Sequence, residues 1–488
     1  MSMVKKLAKN TSMIFTSQII NYILLFIGTI YTSRYLGPEG YGILSTGVAL
    51  TTVFAVIGDL GLGTITVREV ARDKSLTNKY IVNTALMKVI LSITMAILII
   101  LSVKIINYPS EINIVIYILT LSVIFSTFSG IFGSIFQAYE KMEYGAIGGI
   151  WSSVLTFICL MLAIYLNLNI FAFAFINVIV SILSLIYMAG IFIWKFFLPK
   201  IDIDLDLWKP DIKVDWNFWK PVVMQALPLS IAIIFSTILF KLDTILLSII
   251  KGTLVVGWYS VAYNILQALM FIPSAFTASV FPILSVFHIS SKESLEVTYQ
   301  KSFKYLSILG IPIAVLITLL ADKIILIIYP EGFIPSIIAL KILVWVVPFT
   351  FLTITFGTIL TAINKQNLLM KVVFVILILN LVLNLILIPQ FSYIGSAVVT
   401  VISELITFVI YFHYISKFIC KIKFTDTLIK TIIASGIMGL FIIYASINLF
   451  LVILLAAIIY FVSLILLNTF SKEELNSFKQ VLEVIKLI

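Results

Sequence analysis

Fourteen stretches of this chain are apolar for about 20 residues or more, the length an α-helix needs to cross a hydrocarbon core of about 30 Å. They run over 11–33, 41–65, 80–103, 112–138, 144–166, 169–194, 222–249, 255–286, 303–321, 336–362, 368–388, 393–415, 427–446 and 449–468. Backbone N–H and C=O groups cannot stay unpaired in lipid, so stretches of this length fold as helices that satisfy their own hydrogen bonds. A membrane barrel would show short segments of alternating hydrophobicity instead. The expected fold is an all-α polytopic membrane protein with about 14 transmembrane helices. Composition agrees: 61% of the 488 residues are hydrophobic and 11% charged, against about 25% charged in soluble domains. The basic N-terminus (Lys5, Lys6, Lys9) precedes a run, Thr11 to Thr32, that is long enough to span and has no suitably placed small-residue cleavage site. It reads as a retained first helix rather than a signal peptide.

A net charge of +10 points either to nucleic acid or to an anionic membrane surface, and its location decides. If the spans alternate in direction, 25 of the 32 Lys and Arg residues fall on the side of the N-terminus. Only Arg34, Lys104, Lys251 and Lys323 lie in the opposite loops, and Lys88, Lys241 and Lys341 fall within spans. Cations are retained on the cytoplasmic side, so both termini are expected there, in a cytoplasmic membrane and without a nucleic-acid partner.

The string FGSIFQAYEKME at 132–143 returns as FGTILTAINKQN at 356–367, with Phe132, Gly133, Ile135, Ala138 and Lys141 matched by Phe356, Gly357, Ile359, Ala362 and Lys365. Each copy closes a long apolar stretch, so the chain reads as two tandem lobes. Six spans precede the second lobe, an even number, so the two enter the membrane from the same side and are parallel repeats, an architecture typical of transporters. The expected divisions are an N-lobe at 1–194, a cytoplasmic interfacial linker at 195–220, a C-lobe at 221–416, and two extra helices with a cytoplasmic tail at 417–488. Trp208, Trp216 and Trp219 would place the linker at headgroup depth.

Charges inside a bilayer are costly and therefore candidate functional groups. Asp59 sits near the cytoplasmic end of span two, where anchoring of a helix end fits it equally. Lys241 and Asp243 lie in the outer half of span seven, two residues apart and so on different faces of a helix. One or both should meet another helix or a cavity. Lys88 and Glu404 stand alone in spans three and twelve, and Arg34 closes span one on the outer side. Uncharged polar residues line up as well: Ser17, Asn21, Gly28 and Thr32 in span one, Thr237, Lys241, Thr244 and Ser248 in span seven, Tyr263, Gln267, Ser274 and Thr277 in span eight. Helix–helix packing and a water-filled cleft lined by these spans account for the pattern equally well. The candidate substrate-binding residues are Arg34, Lys241, Asp243, Asn21 and Gln267. The candidate ion-coupling carboxylates are Asp59, Asp243 and Glu404.

Several chemistries are excluded. The dipeptide Gly-Lys never occurs, so there is no phosphate-binding P-loop. Two histidines, His288 and His413, and two cysteines, Cys159 and Cys420, provide no metal-ligand spacing and no disulfide framework. No cofactor and no catalytic residue are expected.

The strings SRYLGPEGYG (33–42), GDLGLGTITVREVARD (58–73), DTILLS (243–248), VGWYSVAY (256–263), Phe281–Pro282 and IIYPEGFIPSIIALKILVWVVPF (327–349) resemble those of polysaccharide (oligosaccharidyl-lipid) flippases. These belong to the multidrug/oligosaccharidyl-lipid/polysaccharide exporter superfamily, and the resemblance spans essentially the whole chain. It implies two six-helix lobes around a central cavity, and alternating-access movement of polyprenyl-diphosphate-linked oligosaccharide from the inner to the outer leaflet. It further implies work alongside a polysaccharide polymerase or glycosyltransferases, and it puts Arg34, Lys241 and Asp243 on cavity-proximal helices. Related peptidoglycan-precursor flippases carry several basic residues deep in the first lobe; only Lys88 does so here, which disfavours that cargo. The alternatives are a drug or organic-cation antiporter of the same superfamily and, further off, a membrane glycan polymerase or ligase.

Overall fold

The computed structural model describes residues 3–197, 215–419, 425–445, 448–471 and 474, and every regular element among them is helical. In chain order the helices are α1 (Met3–Asp59), α2 (Leu62–Arg72), α3 (Thr77–Ile106), α4 (Ser110–Ala138), α5 (Met142–Tyr165) and α6 (Ile170–Phe192). They continue as α7 (Trp216–Ile250), α8 (Thr253–Leu269), α9 (Phe271–Ser290), α10 (Lys292–Ile328), α11 (Ser336–Leu343), α12 (Val346–Ala362), α13 (Gln366–Phe418), α14 (Thr425–Tyr444) and α15 (Leu449–Leu466). Most of the expected linker, with Trp208, lies outside the described residues, as do Cys420 and the tail beyond Glu474.

Among the described residues, eleven helices are long and apolar enough to cross a membrane, or 12 when the bent pair α11 and α12 counts as one span. The two longest each hold two of the expected spans. In α1 the break is at Gly37 (φ 69°), followed by Pro38. Gly takes the left-handed conformation that ends a helix, and Pro starts the next because it has no N–H to leave unpaired. In α13 the break is at Ser392 (φ 55°), three residues after Pro389. With these two breaks, each of the fourteen apolar stretches corresponds to helical structure among the described residues.

The repeated string encodes a turn. Glu140 and Asn364, 224 positions apart, have φ 57° and φ 59°. Around them Lys141 N–H donates to Phe136 O at 2.8 Å and Lys365 N–H to Leu360 O at 2.8 Å. Glu140 N–H donates to Gln137 O and Asn364 N–H to Thr361 O, each at 3.0 Å. This is the Schellman closure of a helix, formed twice by equivalent residues at the ends of α4 and α12.

By its contacts the chain divides into two compact units: Met1–Ala268 with Val373–Val399, and Leu269–Val372 with Thr400–Ile488. In the first, Met95, Ile99 and Val103 of α3 meet Val115, Ile116 and Leu119 of α4 and Ile170 and Ala174 of α6. A second layer joins Leu62, Ile65 and Val70 of α2 to Trp219, Val222 and Ala226 of α7. In the second unit, Ala434 and Met438 of α14 and Val452, Ala456 and Tyr460 of α15 pack on Ile308 and Leu320 of α10. Lipid is as apolar as these side chains, so close packing and satisfied polar groups hold such helices together rather than water exclusion. Many hydroxyls bond the carbonyl one turn back, as Thr46 does to Gly42 O at 2.8 Å and Thr66 to Leu62 O at 2.8 Å.

Glycine permits the tightest approach in the first unit. A methyl group on Gly42 of α1 would lie 1.8 Å from Thr253 O of α8, and one on Gly257 would lie 1.9 Å from Pro38 O. Each helix thus presents a glycine to the first residue of the other segment, and no side chain fits between them. Nearby, Tyr108 OH and Ser248 Oγ share a hydrogen bond of 2.6 Å. Elsewhere α7 is tied to α3 by Trp219 Nε1 donating to Asn83 Oδ1 at 2.8 Å, and by the Lys79–Asp215 ion pair at 3.0 Å.

Candidate functional site

A cavity of about 300 Å³ opens within the first unit between α1, α5, α6, α7 and α8. Gly28, Thr29 and Thr32 line it from the first part of α1, and Tyr41 and Ser45 from the part beyond the Gly37 break. Asn177 enters from α6, Lys241 and Thr244 from α7, and Ser260, Tyr263, Asn264 and Gln267 from α8. The helical spacing of three to four residues puts each set on one face, and part of each polar stripe read from spans one, seven and eight reaches the lining: Gly28 and Thr32, Lys241 and Thr244, Tyr263 and Gln267. Apolar residues such as Leu24, Phe157, Leu160 and Phe173 complete the lining.

Among the described residues, Lys241 carries the one charge in this lining, which contains no Asp or Glu. Its side chain is half-buried, and among the described residues no hydrogen bond or ion pair holds its ammonium. An ammonium so placed recruits an anion, because an uncompensated charge in a low-dielectric site is costly. The hydroxyls and amides around it suit a polyhydroxylated ligand. Asn264 Nδ2 donates to Tyr41 OH across the cavity, joining α8 to α1. The Tyr263 ring is stacked on Tyr259 (centroids 5.9 Å apart, planes at 16°) and meets the Phe240 ring edge-on at 5.9 Å.

Asp243 points elsewhere, as its two-residue offset from Lys241 requires. It is buried, accepts from Tyr259 OH at 2.8 Å and from Asn384 Nδ2 at 2.7 Å, and Asn384 also donates to Asn380 Oδ1 at 2.9 Å. The carboxylate is therefore shared by α7, α8 and α13. Asn384 Oδ1 is buried without a hydrogen-bond partner among the described residues.

Of the residues singled out from sequence, Lys241 and Gln267 come together in the cavity wall and Asp243 lies behind it. Asn21 does not line the cavity; its amide packs over Gly149 of α5, 3.1 Å from where a methyl group would stand. Arg34 is exposed and also outside the lining. Asp59 pairs with Lys88 at 2.7 Å, and Lys88 Nζ also donates to Thr127 O at 2.9 Å, so the lysine that stands alone in the sequence is a buried partner of Asp59. Glu404 lies in the second unit, where it accepts from the Thr353 hydroxyl of α12. The sequence reading missed Tyr41, Ser45, Asn177 and Asn264 in the lining, and Asn380 and Asn384 beside Asp243. The last pair left a signal, two amides four residues apart inside an apolar run, ILILNLVLNLIL.

A family model described as polysaccharide biosynthesis protein matches residues 7–288, more than half the chain, and a MatE model matches 228–386. A probable low-salt glycan biosynthesis flippase of Haloferax volcanii is 29% identical over 170 residues, which are 35% of this chain and 36% of that protein, so the likeness spans about a third of the relative. Among solved structures, the lipid II flippase MurJ in an inward-closed conformation aligns with a TM-score of 0.73 at 16% identity, over 92% of this chain and 97% of its own. An inward-facing multidrug resistance MATE family transporter aligns with a TM-score of 0.67 at 16% identity, over 81% and 95%. At these identities the structures establish the fold, and the family model establishes membership. The chain belongs to the polysaccharide biosynthesis protein family, within the multidrug/oligosaccharidyl-lipid/polysaccharide exporter superfamily.

Proposed function

We propose that this protein moves a polyprenyl-diphosphate-linked oligosaccharide from the inner to the outer leaflet of a cytoplasmic membrane, with both termini cytoplasmic, for surface glycan synthesis. The observation that carries this reading is Lys241, a cation with no partner among the described residues, in a cavity whose described lining has no acid and many hydroxyls and amides. A diphosphate leaving water needs a cationic partner, and the sugars need donors and acceptors. The glycan-biosynthesis flippase name of the Haloferax volcanii relative supports the same cargo. Rocking of the lobes at 1–194 and 221–416 would expose the cavity to each side in turn, with the two helices after 417 outside that motion. Asp243 is the coupling carboxylate in this scheme: it is buried, accepts from two neutral donors, and sits one helix face away from Lys241. Polymerase or glycosyltransferase partners would act on the delivered product.

The test is reconstitution in proteoliposomes with a fluorescent polyprenyl-diphosphate disaccharide, reading its loss of accessibility to an external quencher or enzyme. Flipping by the wild type that is lost in Lys241→Ala and kept in Lys241→Arg is the expected result. Efflux of organic cations with no flipping of the lipid would establish the antiporter reading instead.

A further inference from the structure

Asp243 is absent from the cavity lining, yet a side chain that hydrogen-bonds it also stacks on a lining residue. Tyr259 of α8, fully buried, donates its hydroxyl to Asp243 Oδ2 at 2.8 Å. Its ring lies face to face with that of Tyr263, one turn further along α8, at 5.9 Å and 16°. Tyr263 is in the cavity wall, beside Asn264 and one turn before Gln267. We propose that Tyr259 is the positioning residue through which the state of Asp243 sets the shape of the substrate cavity. The proposal rests on Asp243 being the coupling carboxylate.

The physical basis is an asymmetry in how the two residues are held. The other carboxylate oxygen accepts from Asn384, itself anchored on Asn380, so α13 supplies a fixed reference for Asp243. A phenol hydrogen bond to a charged carboxylate is about twice as strong as one to a neutral acceptor. When a cation or proton occupies Asp243, that bond weakens and the hold of the carboxylate on Tyr259 slackens. Two stacked rings in a packed interior do not move independently, since even small gaps forfeit contact energy. Tyr263 is supported on its edge by Phe240, which precedes Lys241, so displacement of the pair reaches both the aromatic and the cationic parts of the wall. Asp243 is met by Tyr259 from α8 and by Asn384 from α13, the latter bonded in turn to Asn380; on α7 itself, Lys241 lines the cavity.

The experiment reads the wall without any substrate. In protein carrying Cys159→Ala and Cys420→Ala, a cysteine is placed by Gln267→Cys, and its alkylation by a water-soluble maleimide is timed in four backgrounds: unchanged, Asp243→Asn, Tyr259→Phe, and both. Tyr259→Phe keeps the ring and its stack and removes only the hydroxyl. Asp243→Asn is expected to change the rate by about five-fold when Tyr259 is present, at the low end of site-to-site coupling, and by less than about two-fold when Phe replaces it. An equal factor in both backgrounds, or no effect of Asp243→Asn in either, overturns the proposal. If Gln267→Cys fails to fold, Ser260→Cys reports on the same wall. Adding undecaprenyl diphosphate separates the two readings: a wall that responds through Tyr259 but is never protected by this lipid keeps the relay and rejects the proposed cargo.

Discussion

Replacing Lys241 by Met should cut transport and, at the same time, leave the protein at least as stable. Met has nearly the length and volume of Lys without the charge. Two unit charges about 4 Å apart at an effective dielectric of about 20 attract by about 4 kcal/mol. Part of that offsets dehydration of the phosphate, and a hydrogen bond to a charged group is worth about 1.5–3 kcal/mol net. Taking about 2 kcal/mol, affinity for a polyprenyl diphosphate should fall about 30-fold. In the unliganded protein the ammonium is half-buried and has no partner among the described residues, so its removal relieves a desolvation cost rather than breaking a bond. The assay pairs proteoliposome flipping and lipid binding with a thermal melt of the same detergent-purified samples. Lys241→Met that flips at the wild-type rate would refute the role of the charge. Lys241→Met that melts markedly lower would show that the ammonium has a structural partner, and the reasoning would fail at its first step.

Three other outcomes follow from the geometry. Gly42→Ala and Gly257→Ala should each lower the melting temperature, because the added methyl would stand within 2 Å of a backbone carbonyl on the opposing helix; Gly133→Ala, with open space around it, should not. Asp59→Asn should lower the melting temperature by leaving the charge of buried Lys88 with Thr127 O but no carboxylate, and adding Lys88→Met should restore most of the loss in the same melt. In the second unit, burial alone would raise the pKa of Glu474, but Lys304, the Ser471 N–H and Tyr305 hydrogen-bond its carboxylate and hold it below the ordinary value of 4.5. A depressed carboxyl contributes stability above its unfolded pKa and loses it as pH falls through the folded one. The melting temperature should therefore drop below about pH 4.5, and Glu474→Gln should show a smaller acid-dependent drop.

The features legible in the chain were those that local chemistry encodes. Apolar length specified the crossings, because lipid allows no other structure at that depth. The helix breaks at Gly37–Pro38 and the paired turns at Glu140 and Asn364 follow from residues within a few positions of each other. Lys241 and Gln267 could be named as candidates because a charge or amide in an apolar run is conspicuous by itself. Asn380 and Asn384 were equally conspicuous, but which carboxylate they serve was not written nearby.

What the sequence determined alone was therefore the membrane, the helices, the duplication and a short set of suspect polar residues. Only the tertiary structure decided which of them meet. Asp243 finds Tyr259 on the next helix and Asn384 on a helix 141 positions away, and Asp59 finds Lys88 on another. Asn21 and Arg34 fall outside the cavity although Gly28, Thr29 and Thr32 of the same span line it. The reason is that helix rotation and neighbour choice are set by packing, by where a glycine such as Gly42 lets two backbones approach, and by the pairing of each buried charge. Those are sums over contacts distant in sequence, and no local pattern records them.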